Sequence, residues 1–389
     1  NNFPPLTKSF ASHSIPIPTT VLSFQLSAFV VYDKMLADLE TNKLKLAIVY
    51  VTMTVVATIN PLLVRKSVDG GVSFNVVVVE SLGEFMKLVV ATSLFGYEQV
   101  SDSQFSANRF WESLTGGALI DFVVTVSKSW PLFLVPGLAY LIQNSIYNLS
   151  VAAIGIPVFI IVTQISIPLS CVVSRLLLAR KINSKQWIAV GSLTIGSMLG
   201  TSSQLVGLQF SHTFFIGILL ALFTTCTSVG AGTFLEFLYT RHGLQSSLQS
   251  NNIRLYSAGV AWTWFYMVIN YDTLLTEGLF HNWNMWIWIG IGWRCIMGQM
   301  IGIIMKYVGN ADRVVINSVA QILIIMTGVF YFHDPFSVYL VLAFVITFSS
   351  FGAYMYYKED VVAEVETPVR SDSEASFVSE IDEDNVRTA

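Results

Sequence analysis

The stretch PGLAYLIQNSIYNLSVAAIGIPVFIIVTQISIP, Pro136–Pro168, decides how the rest of the chain is interpreted. It is apolar enough to lie within a bilayer, yet it contains three prolines and several amide and hydroxyl side chains. Such groups are costly at membrane depth unless they face a cavity or a partner helix. The stretch therefore predicts a hairpin of two membrane spans with a polar inner face. The polar side chains concerned are those of Gln143, Asn144, Asn148, Thr163, Gln164 and Ser166.

The composition of the whole chain also indicates a membrane protein. Of the 389 residues, 53% are hydrophobic and 12% are charged, and the mean hydropathy is +0.62. A soluble domain has about 25% charged residues, and a large soluble helical protein would need charged faces between its apolar runs. Because those faces are missing over most of the chain, we expect an all-α membrane protein with many spans.

Windows of about 20 apolar residues predict ten membrane spans. Ten spans divide into five plus five, and an odd number in each half places the two halves in opposite orientation. This is the inverted-repeat arrangement in which transporters hold substrate near the bilayer midplane. The longest connection between predicted spans is 97–131. The approximate spans are 45–64, 74–96, 132–152, 154–179, 186–206, 213–238, 253–274, 285–307, 314–333 and 335–357.

The distribution of charge predicts the orientation and the ends of the domain. If both termini are cytosolic, twelve Lys and Arg residues fall on that side, against only Arg65 and Lys66 on the other. A transporter domain is expected over 43–358, after a disordered or interfacial leader, 1–42. The segment 359–389 has a net charge of −8, which leaves +4 for the preceding 358 residues. We expect an acidic, disordered cytosolic tail, and a mildly basic body suits anionic cargo, although positive-inside loops alone produce the same balance.

Motifs for hydrolysis and for metal binding are absent from the sequence. The chain has no GxxxxGK[ST], HExxH or GxSxG motif, so neither ATP-driven pumping nor enzymatic activity is expected, and no cofactor is predicted. Cys171, Cys226 and Cys295 all fall within apolar runs and lack the close spacing of zinc ligands. We expect them to be small buried hydrophobic residues, with no metal site.

Charged side chains inside predicted spans need partners. The second span contains Glu80, Glu84 and Lys87, and residues three apart lie on the same helix face. An ion pair between Glu84 and Lys87 is therefore predicted, either as a structural pair or as part of a transport pathway. Arg294, deep in the eighth span, requires an acidic partner or a wet cavity.

Amides and an aromatic ring in the hairpin are the first candidates for ligand binding. The amides of Gln143 and Asn144 can read a nucleobase edge through paired donors and acceptors, or they can join helices through hydrogen bonds. Phe159 either stacks on a base or faces lipid. Gln164 and Ser166 form a polar bend that suits either a cavity or a helix–helix contact.

The second half of the chain contributes a further group of candidates. Gly230 allows close approach of a helix or a ligand, and Asn252 is either a helix cap or a ligand contact. The segment KYVGNADR, Lys306–Arg313, joins spans eight and nine and includes Asn310 after a glycine. At the start of span nine, backbone N–H groups and the Arg313 cation can together hold phosphate. Ordinary positive-inside loop charge is the alternative.

Several of these segments resemble one membrane protein family. PGLAYLIQNSIYNLSV, TQISIP, RKINSKQWIAV, ESLGEFMKLVV, EGLFHNW and KYVGNADRVV are similar to segments of the nucleotide-sugar transporters for CMP-sialic acid, UDP-galactose and UDP-N-acetylglucosamine. The resemblance covers about 43–358. It implies a drug/metabolite transporter fold and exchange of a cytosolic nucleotide sugar for a luminal nucleoside monophosphate, in the Golgi or endoplasmic reticulum membrane. It also implies that Asn144, Phe159 and Arg313 occupy ligand-contacting positions.

The sequence departs from the family in two places. The resemblance implies a lysine in span four where this chain has Ser166, and it implies a further lysine where this chain has Phe237. The loss of these cations predicts weaker anion binding in the first half, unless Arg313, Lys306 or Arg294 compensates.

The expected function is therefore transport of a pyrimidine nucleotide sugar by alternating access, with exchange for UMP. A UDP-N-acetylhexosamine or UDP-galactose is the expected cargo. One alternative is a related exporter of another metabolite, and another is a non-transporting membrane scaffold for glycosyltransferases. A homodimer or an association with glycosyltransferases is a possible assembly, and no nucleic-acid partner is expected.

Overall fold

Helices make up the secondary structure of the computed structural model in the residues it describes, which are 43–67, 74–100, 117–202, 211–240, 247–271, 276, 278–333 and 336–366. This part of the chain contains no β-strand, which agrees with the predicted all-α fold. The helices are α1 (Lys43–Ser67), α2 (Val76–Val100), α3 (Gly117–Thr163), α4 (Ser166–Leu178), α5 (Ser184–Ser202), α6 (His212–Thr240), α7 (Leu248–Ile269), α8 (Met285–Tyr307), α9 (Asn310–Tyr331) and α10 (Val338–Glu366).

Among the described residues, six helical segments are long and apolar enough to cross a membrane. The helix α2 is not among them, because Glu80, Glu84 and Lys87 add charge to an otherwise apolar sequence. The six segments are Leu44–Ser67, Val158–Leu178, His212–Thr240, Met285–Tyr307, Asn310–Tyr331 and Val338–Lys358.

The third predicted span begins earlier in the structure than predicted, whereas the apolar segment Val158–Leu178 agrees with the predicted fourth span, 154–179. The helix α3 begins at Gly117, inside the predicted connection 97–131, because residues 118–126 form a nearly unbroken apolar run without proline. It continues through a kink close to the predicted boundary between the two spans and ends at Thr163. The bend between the two spans occurs at Gly155, whose φ of 77° and ψ of 158° lie outside the helical region. Glycine adopts this positive φ without the steric cost that a Cβ would bring.

Two predicted segments fall partly or wholly outside the described residues. The leader, 1–42, lies outside them. The helix α10 includes 359–366 of the predicted acidic tail, and the rest of that tail, from 367, lies outside the described residues.

The short connections between helices define two ends of the bundle. At the end where α2 and α8 begin, here called the α2 end, the Asn284 side chain donates a hydrogen bond to the Ser67 carbonyl at 2.8 Å. At the same end the Arg65 guanidinium lies 4.0 Å from the centre of the Phe332 ring. At the opposite end, here called the α9 end, α1 and α9 begin and α4, α6 and α8 finish.

Small residues let the helices approach closely. The Ser150 hydroxyl on α3 donates to the Gly217 carbonyl on α6 at 2.8 Å. A Cβ at Gly217 would lie 2.4 Å from Ile154 Cγ2 and 2.8 Å from Ala153 Cβ, distances that real contacts do not reach. Close approach through small residues is a major source of stability between helices in a membrane, where lipid removes the hydrophobic drive for association. Gly217 therefore controls the packing of α3 against α6.

We expect the substitution Gly217→Ala to lower the melting temperature of the detergent-solubilised protein by several degrees. The reason is overpacking, which costs about 1–3 kcal/mol in a tight interface. The matched control is Gly191→Ala on α5, where a Cβ meets no atom within 4 Å and where alanine is the better helix former. Equal melting temperatures for the two variants would contradict the proposed contact.

Candidate functional site

Two neighbouring cavities occupy the middle of the bundle. Chamber 1 has a volume of about 420 Å³ and lies mainly between α2, α3, α7 and α8. Chamber 2 has a volume of about 440 Å³ and lies mainly between α3, α4, α6 and α9. Such volumes are typical of small-molecule sites. Four residues line both chambers, and these are Asn60, Tyr140, Met297 and Arg313.

Arg313 is a buried cation on the wall that the two chambers share. It lies in the first turn of α9, which follows Gly309 at a φ of 111°. The side chain is 9% exposed, forms no ion pair with any described residue, and has a buried Nε without a hydrogen-bond partner there. Gly232 on α6 makes room for it, because a Cβ there would lie 2.9 Å from Arg313 Nη2. A buried, unpaired guanidinium is unfavourable unless an anion joins it.

Uncharged polar groups line most of chamber 2. The amide of Gln164, at the junction of α3 and α4, donates to the carbonyl of Ile160 and to the side-chain oxygen of Gln321 on α9. Tyr147 and Phe159 meet edge to face with their ring centres 4.8 Å apart. Hydroxyl and amide groups complete the wall, namely those of Gln143, Thr163, Ser166, Thr224, Thr225, Ser228, Asn317 and Ser318.

Ion pairs and aromatic rings line chamber 1. The Lys87 ammonium lies 2.5 Å from Glu84 Oε1, so the predicted pair is formed. The Arg294 guanidinium binds Glu80, which supplies the acidic partner that its position in α8 requires. Both pairs face the cavity. The aromatic side chains of the wall are those of Tyr140, Tyr256, Trp262 and Tyr266.

A group of charged side chains joins the helices at the α9 end. Arg180 Nη2 lies 2.6 Å from Glu236 Oε1, and its Nη1 lies 3.6 Å from Asp312 Oδ2. Lys358 Nζ lies 3.0 Å from the same Asp312 oxygen, and the Tyr50 hydroxyl donates to Asp312 Oδ1 at 2.9 Å. These contacts connect α1, α6, α9, α10 and the link between α4 and α5. We call these five residues the α9-end cluster.

Buried amides pack beside the α9-end cluster. The backbone N–H of Asn310 donates to Glu236 Oε2 at 2.6 Å, and its side chain donates to Thr233 Oγ1 at 3.1 Å. Asn252 on α7 accepts a hydrogen bond from the Tyr239 hydroxyl at 2.7 Å and donates to Gln299 at 2.9 Å. Ser247, and not Asn252, caps α7. Both asparagines are fully buried and hydrogen-bonded, so their place in the structure is a helix–helix contact.

The structure brings together only part of the predicted set of site residues. Gly230, Asn252, Lys306 and Asn310 do not line either chamber, and Lys306 instead lies over the Tyr307 ring at 5.1 Å. Asn144 belongs to α3, but its side chain lies outside the described residues. The predicted residues that line a chamber are Glu84, Lys87, Gln143, Phe159, Gln164, Ser166 and Arg313.

Sequence reasoning missed several chamber residues. Asn60 precedes a proline inside α1, and Gln321 lies four residues after Asn317 in the middle of an apolar span. Both follow the same rule that identified Gln164, since polar groups at membrane depth need a cavity or a partner. Of the neighbouring glycines Gly230 and Gly232, it is Gly232 that faces Asn310 and Arg313 on α9, which sequence alone does not tell.

Comparisons with known proteins agree with this polar, partly charged cavity inside a bundle of apolar helices. A family model described as nucleotide-sugar transporter matches residues 40–356. The chain belongs to the nucleotide-sugar transporter family. Its members are transporters and not enzymes, so the chain is a multi-pass membrane transporter of this family. No group of three or more metal-ligating side chains occurs in the part of the chain that the structure describes.

Curated relatives carry names of different nucleotide sugars. The chain is 25% identical to CMP-sialic acid transporter 1 of Arabidopsis thaliana, over 80% of this chain and 89% of that protein. It is 21% identical to UDP-galactose translocator 1 of Caenorhabditis elegans, over 70% of this chain and 76% of that protein. It is also 25% identical to the UDP-galactose/UDP-N-acetylglucosamine transporter srf-3 of Caenorhabditis elegans, over 56% of this chain and 60% of that protein.

One solved crystal structure shares the fold. It superposes with a TM-score of 0.56 at 13% sequence identity, covering 81% of this chain and 97% of that one. At this identity the likeness concerns the fold alone.

We expect Arg180→Gln to destabilise the folded protein, because it removes a positive charge that pairs with two buried carboxylates. The side chains of Glu236 and Asp312 are 2% and 1% exposed. The cost should be about 2 kcal/mol, below the ~3–5 kcal/mol of a fully buried pair, because Lys358 still neutralises Asp312. The measurement is thermal unfolding in detergent.

The control for this substitution is Arg175→Gln, an exposed position on the last turn of α4. It should leave the melting temperature unchanged. The double variant Arg180→Gln with Glu236→Gln should recover part of the loss, since it removes one uncompensated charge. If the double variant is less stable than Arg180→Gln alone, the ion pair is not the cause.

Proposed function

We propose that this protein is a pyrimidine nucleotide-sugar transporter that exchanges a cytosolic UDP-sugar for luminal UMP by alternating access. The observation that supports this proposal best is Arg313, a buried cation without an ion-pair partner among the described residues. It lies between chamber 2, whose wall is otherwise uncharged, and chamber 1, whose other charged side chains form ion pairs. A guanidinium binds phosphate through two parallel N–H···O bonds, as it also binds carboxylate. A nucleotide sugar has its phosphates in the middle and an uncharged nucleoside at one end, which matches this arrangement.

The other proposed ligand contacts follow from the chamber walls. Gln143, Gln164 and Gln321 offer amide donors and acceptors, and Phe159 offers a ring edge, to the part of the ligand in chamber 2. Asn144 stays a proposed contact from its matching position in the family segment. UDP-galactose or a UDP-N-acetylhexosamine is proposed as cargo, in line with the names of two relatives.

The packing of the helices supports the proposed ten-span inverted repeat. In such a repeat, each helix of α1–α5 corresponds to the helix five places later in α6–α10. The contact of α1 with α8 then corresponds to the contact of α6 with α3, and the contact of α1 with α9 corresponds to that of α6 with α4. The contact of α2 with α8 likewise corresponds to that of α7 with α3. Three further contacts join helices that correspond to each other in the two halves, namely α2 with α7, α4 with α9, and α5 with α10. Transporters built this way bind substrate where the halves meet.

The proposed orientation places both termini and the α9 end in the cytosol. The charge asymmetry of the sequence supports it, since only Arg65 and Lys66 fall at the α2 end of the predicted layout. The α9-end cluster then closes the cytosolic side, and chamber 1 extends towards the lumen through Val76, Trp262 and Tyr266. Residence in the Golgi membrane is proposed from the family. A homodimer or an association with glycosyltransferases stays a prediction.

Uptake into proteoliposomes preloaded with UMP tests the proposed function. Arg313→Ala should raise the concentration of UDP-galactose needed for half-maximal uptake by about 10–100-fold, the value of a charge-assisted hydrogen bond. Arg313→Lys should lose less, because it retains the charge. The control is Lys306→Ala, which changes a cation of the same junction that lies off the chamber walls. Wild-type protein without UMP-stimulated uptake of any UDP- or CMP-sugar would falsify the proposal.

Ser166→Lys tests whether the phosphates face chamber 2. Ser166 lines this chamber together with Arg313, so a lysine there adds a second cation to the same cavity. We expect UMP to raise the melting temperature of this variant at a lower concentration than in the wild type. The reason is that stabilisation by a ligand increases with the ratio of its concentration to its dissociation constant. If Ser166→Lys folds but binds UMP no more tightly, the phosphates do not approach this wall.

A further inference from the structure

We propose that this transporter selects nucleotide sugars whose sugar is uncharged, and that Glu80 excludes acidic sugars by neutralising Arg294. This inference rests on the proposed function and specifies its substrate class. It concerns chamber 1, where the side chains of Glu80 and Arg294 join α2 to α8.

The first step is the balance of charge in the two chambers. The charged side chains on their walls, in the described part of the chain, are two carboxylates, Glu80 and Glu84, and three cations, Lys87, Arg294 and Arg313. Four of the five form two ion pairs, Glu84 with Lys87 and Glu80 with Arg294. Arg313 alone is left to attract an anion. The site therefore has one unpaired cation, which the phosphates of the ligand occupy.

The second step identifies which ion pair a ligand meets. Glu84 and Lys87 are held by close packing, since a Cβ at Gly259 would lie 2.7 Å from Glu84 Oε2 and one at Gly298 would lie 2.8 Å from Lys87 Cδ. Their side chains are 20% and 16% exposed. Glu80 and Arg294 are more exposed, at 30% and 21%, and connect two different helices. A ligand in chamber 1 therefore contacts the Glu80–Arg294 pair more readily.

The third step concerns the groups that would receive an uncharged sugar. The Tyr256 hydroxyl is buried on the wall of chamber 1, in a residue only 3% exposed, and has no hydrogen-bond partner in the described structure. The Tyr140 hydroxyl on the same wall also lacks one. A buried polar group without a partner is uncommon and points to a missing ligand or water. Phenol and carboxylate oxygens are good partners for sugar hydroxyls.

The fourth step explains why an acidic sugar is rejected. A ligand carboxylate in chamber 1 would lose its water, would find Arg294 and Lys87 already paired, and would meet the like charges of Glu80 and Glu84. An incoming charge that is desolvated without a partner is penalised, and like charges across a binding site suppress the wrong ligand. Removal of Glu80 alone would free Arg294 and reverse this preference.

The experiment compares UDP-galactose with UDP-galacturonate, which differ only at C6, where a hydroxymethyl group is replaced by a carboxylate. The measured quantity is the ratio of their uptake rates into UMP-loaded proteoliposomes of the full-length chain. Wild-type protein should prefer UDP-galactose. Glu80→Gln should move the ratio towards UDP-galacturonate by about tenfold, the effect of one freed cation.

Two further variants provide the controls. Arg294→Gln should move the ratio the opposite way, because it leaves Glu80 unpaired. The double variant Glu80→Gln with Arg294→Gln restores the charge balance, so its ratio should return towards that of the wild type. Loss of folding cannot produce opposite shifts that cancel. For any variant that binds but does not transport, the comparison uses binding in place of uptake. The apparent affinities for the same two nucleotide sugars are then measured from ligand-dependent shifts of the melting temperature.

Two outcomes would overturn the inference while leaving the proposed function intact. The first is wild-type uptake of UDP-galacturonate at least as fast as that of UDP-galactose. The second is an unchanged ratio in Glu80→Gln when that variant still takes up UDP-galactose. If the wild type neither binds nor exchanges either ligand for UMP, the proposed function itself fails, and the inference fails with it.

Discussion

The high cost of an unpaired charge away from water is the constraint on which this structure depends. Nearly every charged side chain described inside the bundle has a partner on another element or one turn away. Glu84 binds Lys87, Glu80 binds Arg294, and the α9-end cluster joins two carboxylates to two cations. Arg313 breaks this rule among the residues that line the chambers, and it does so at the place where both chambers meet. We propose that this exception marks the ligand site, with an anionic group of the ligand as the partner of Arg313.

The helix α9 connects the proposed site to the closed end of the bundle. Its first turn contains Asp312, a member of the α9-end cluster, and Asn310, whose backbone N–H donates to Glu236 of that cluster. The same turn contains Arg313, which faces the chambers. The contacts that join the α9 end and the cation that faces the chambers therefore lie on the same turn of helix, on the adjacent residues Asp312 and Arg313. A transporter that alternates between two openings has to break the contacts at one end while the ligand is bound. Because Arg313 is adjacent to Asp312, phosphates bound as proposed would lie close to those contacts.

This site differs from a general anion site because most of the charged side chains on its wall are paired with each other. A basic cavity would hold any anion, whereas the ion pairs inside chamber 1 leave Arg313 as the one unpaired cation among the described wall residues. In the proposed binding mode, Arg313 holds the phosphates and the carboxylates face the rest of the ligand. The family shows how far specificity varies on one fold, since relatives at about 25% identity carry the names of both CMP-sialic acid and UDP-galactose. Residues that change the charge of the chamber wall are suited to make such differences.

The sequence by itself determined the class of protein, the apolar helices, the family and the ion pair between Glu84 and Lys87. It also identified Gln164, Ser166 and Arg313 as candidates for a cavity wall, where the structure places them. These follow from hydropathy, from helical spacing and from short motifs, all of which are local properties of the chain. Only the tertiary structure decided that Arg294 binds Glu80, which lies 214 positions away in the sequence. It also decided that Asn252 and Asn310 join helices away from the chambers and that Gly232 makes room for Arg313. The physical reason is that a polar residue at membrane depth requires a partner, but sequence does not tell whether that partner is another helix or a cavity.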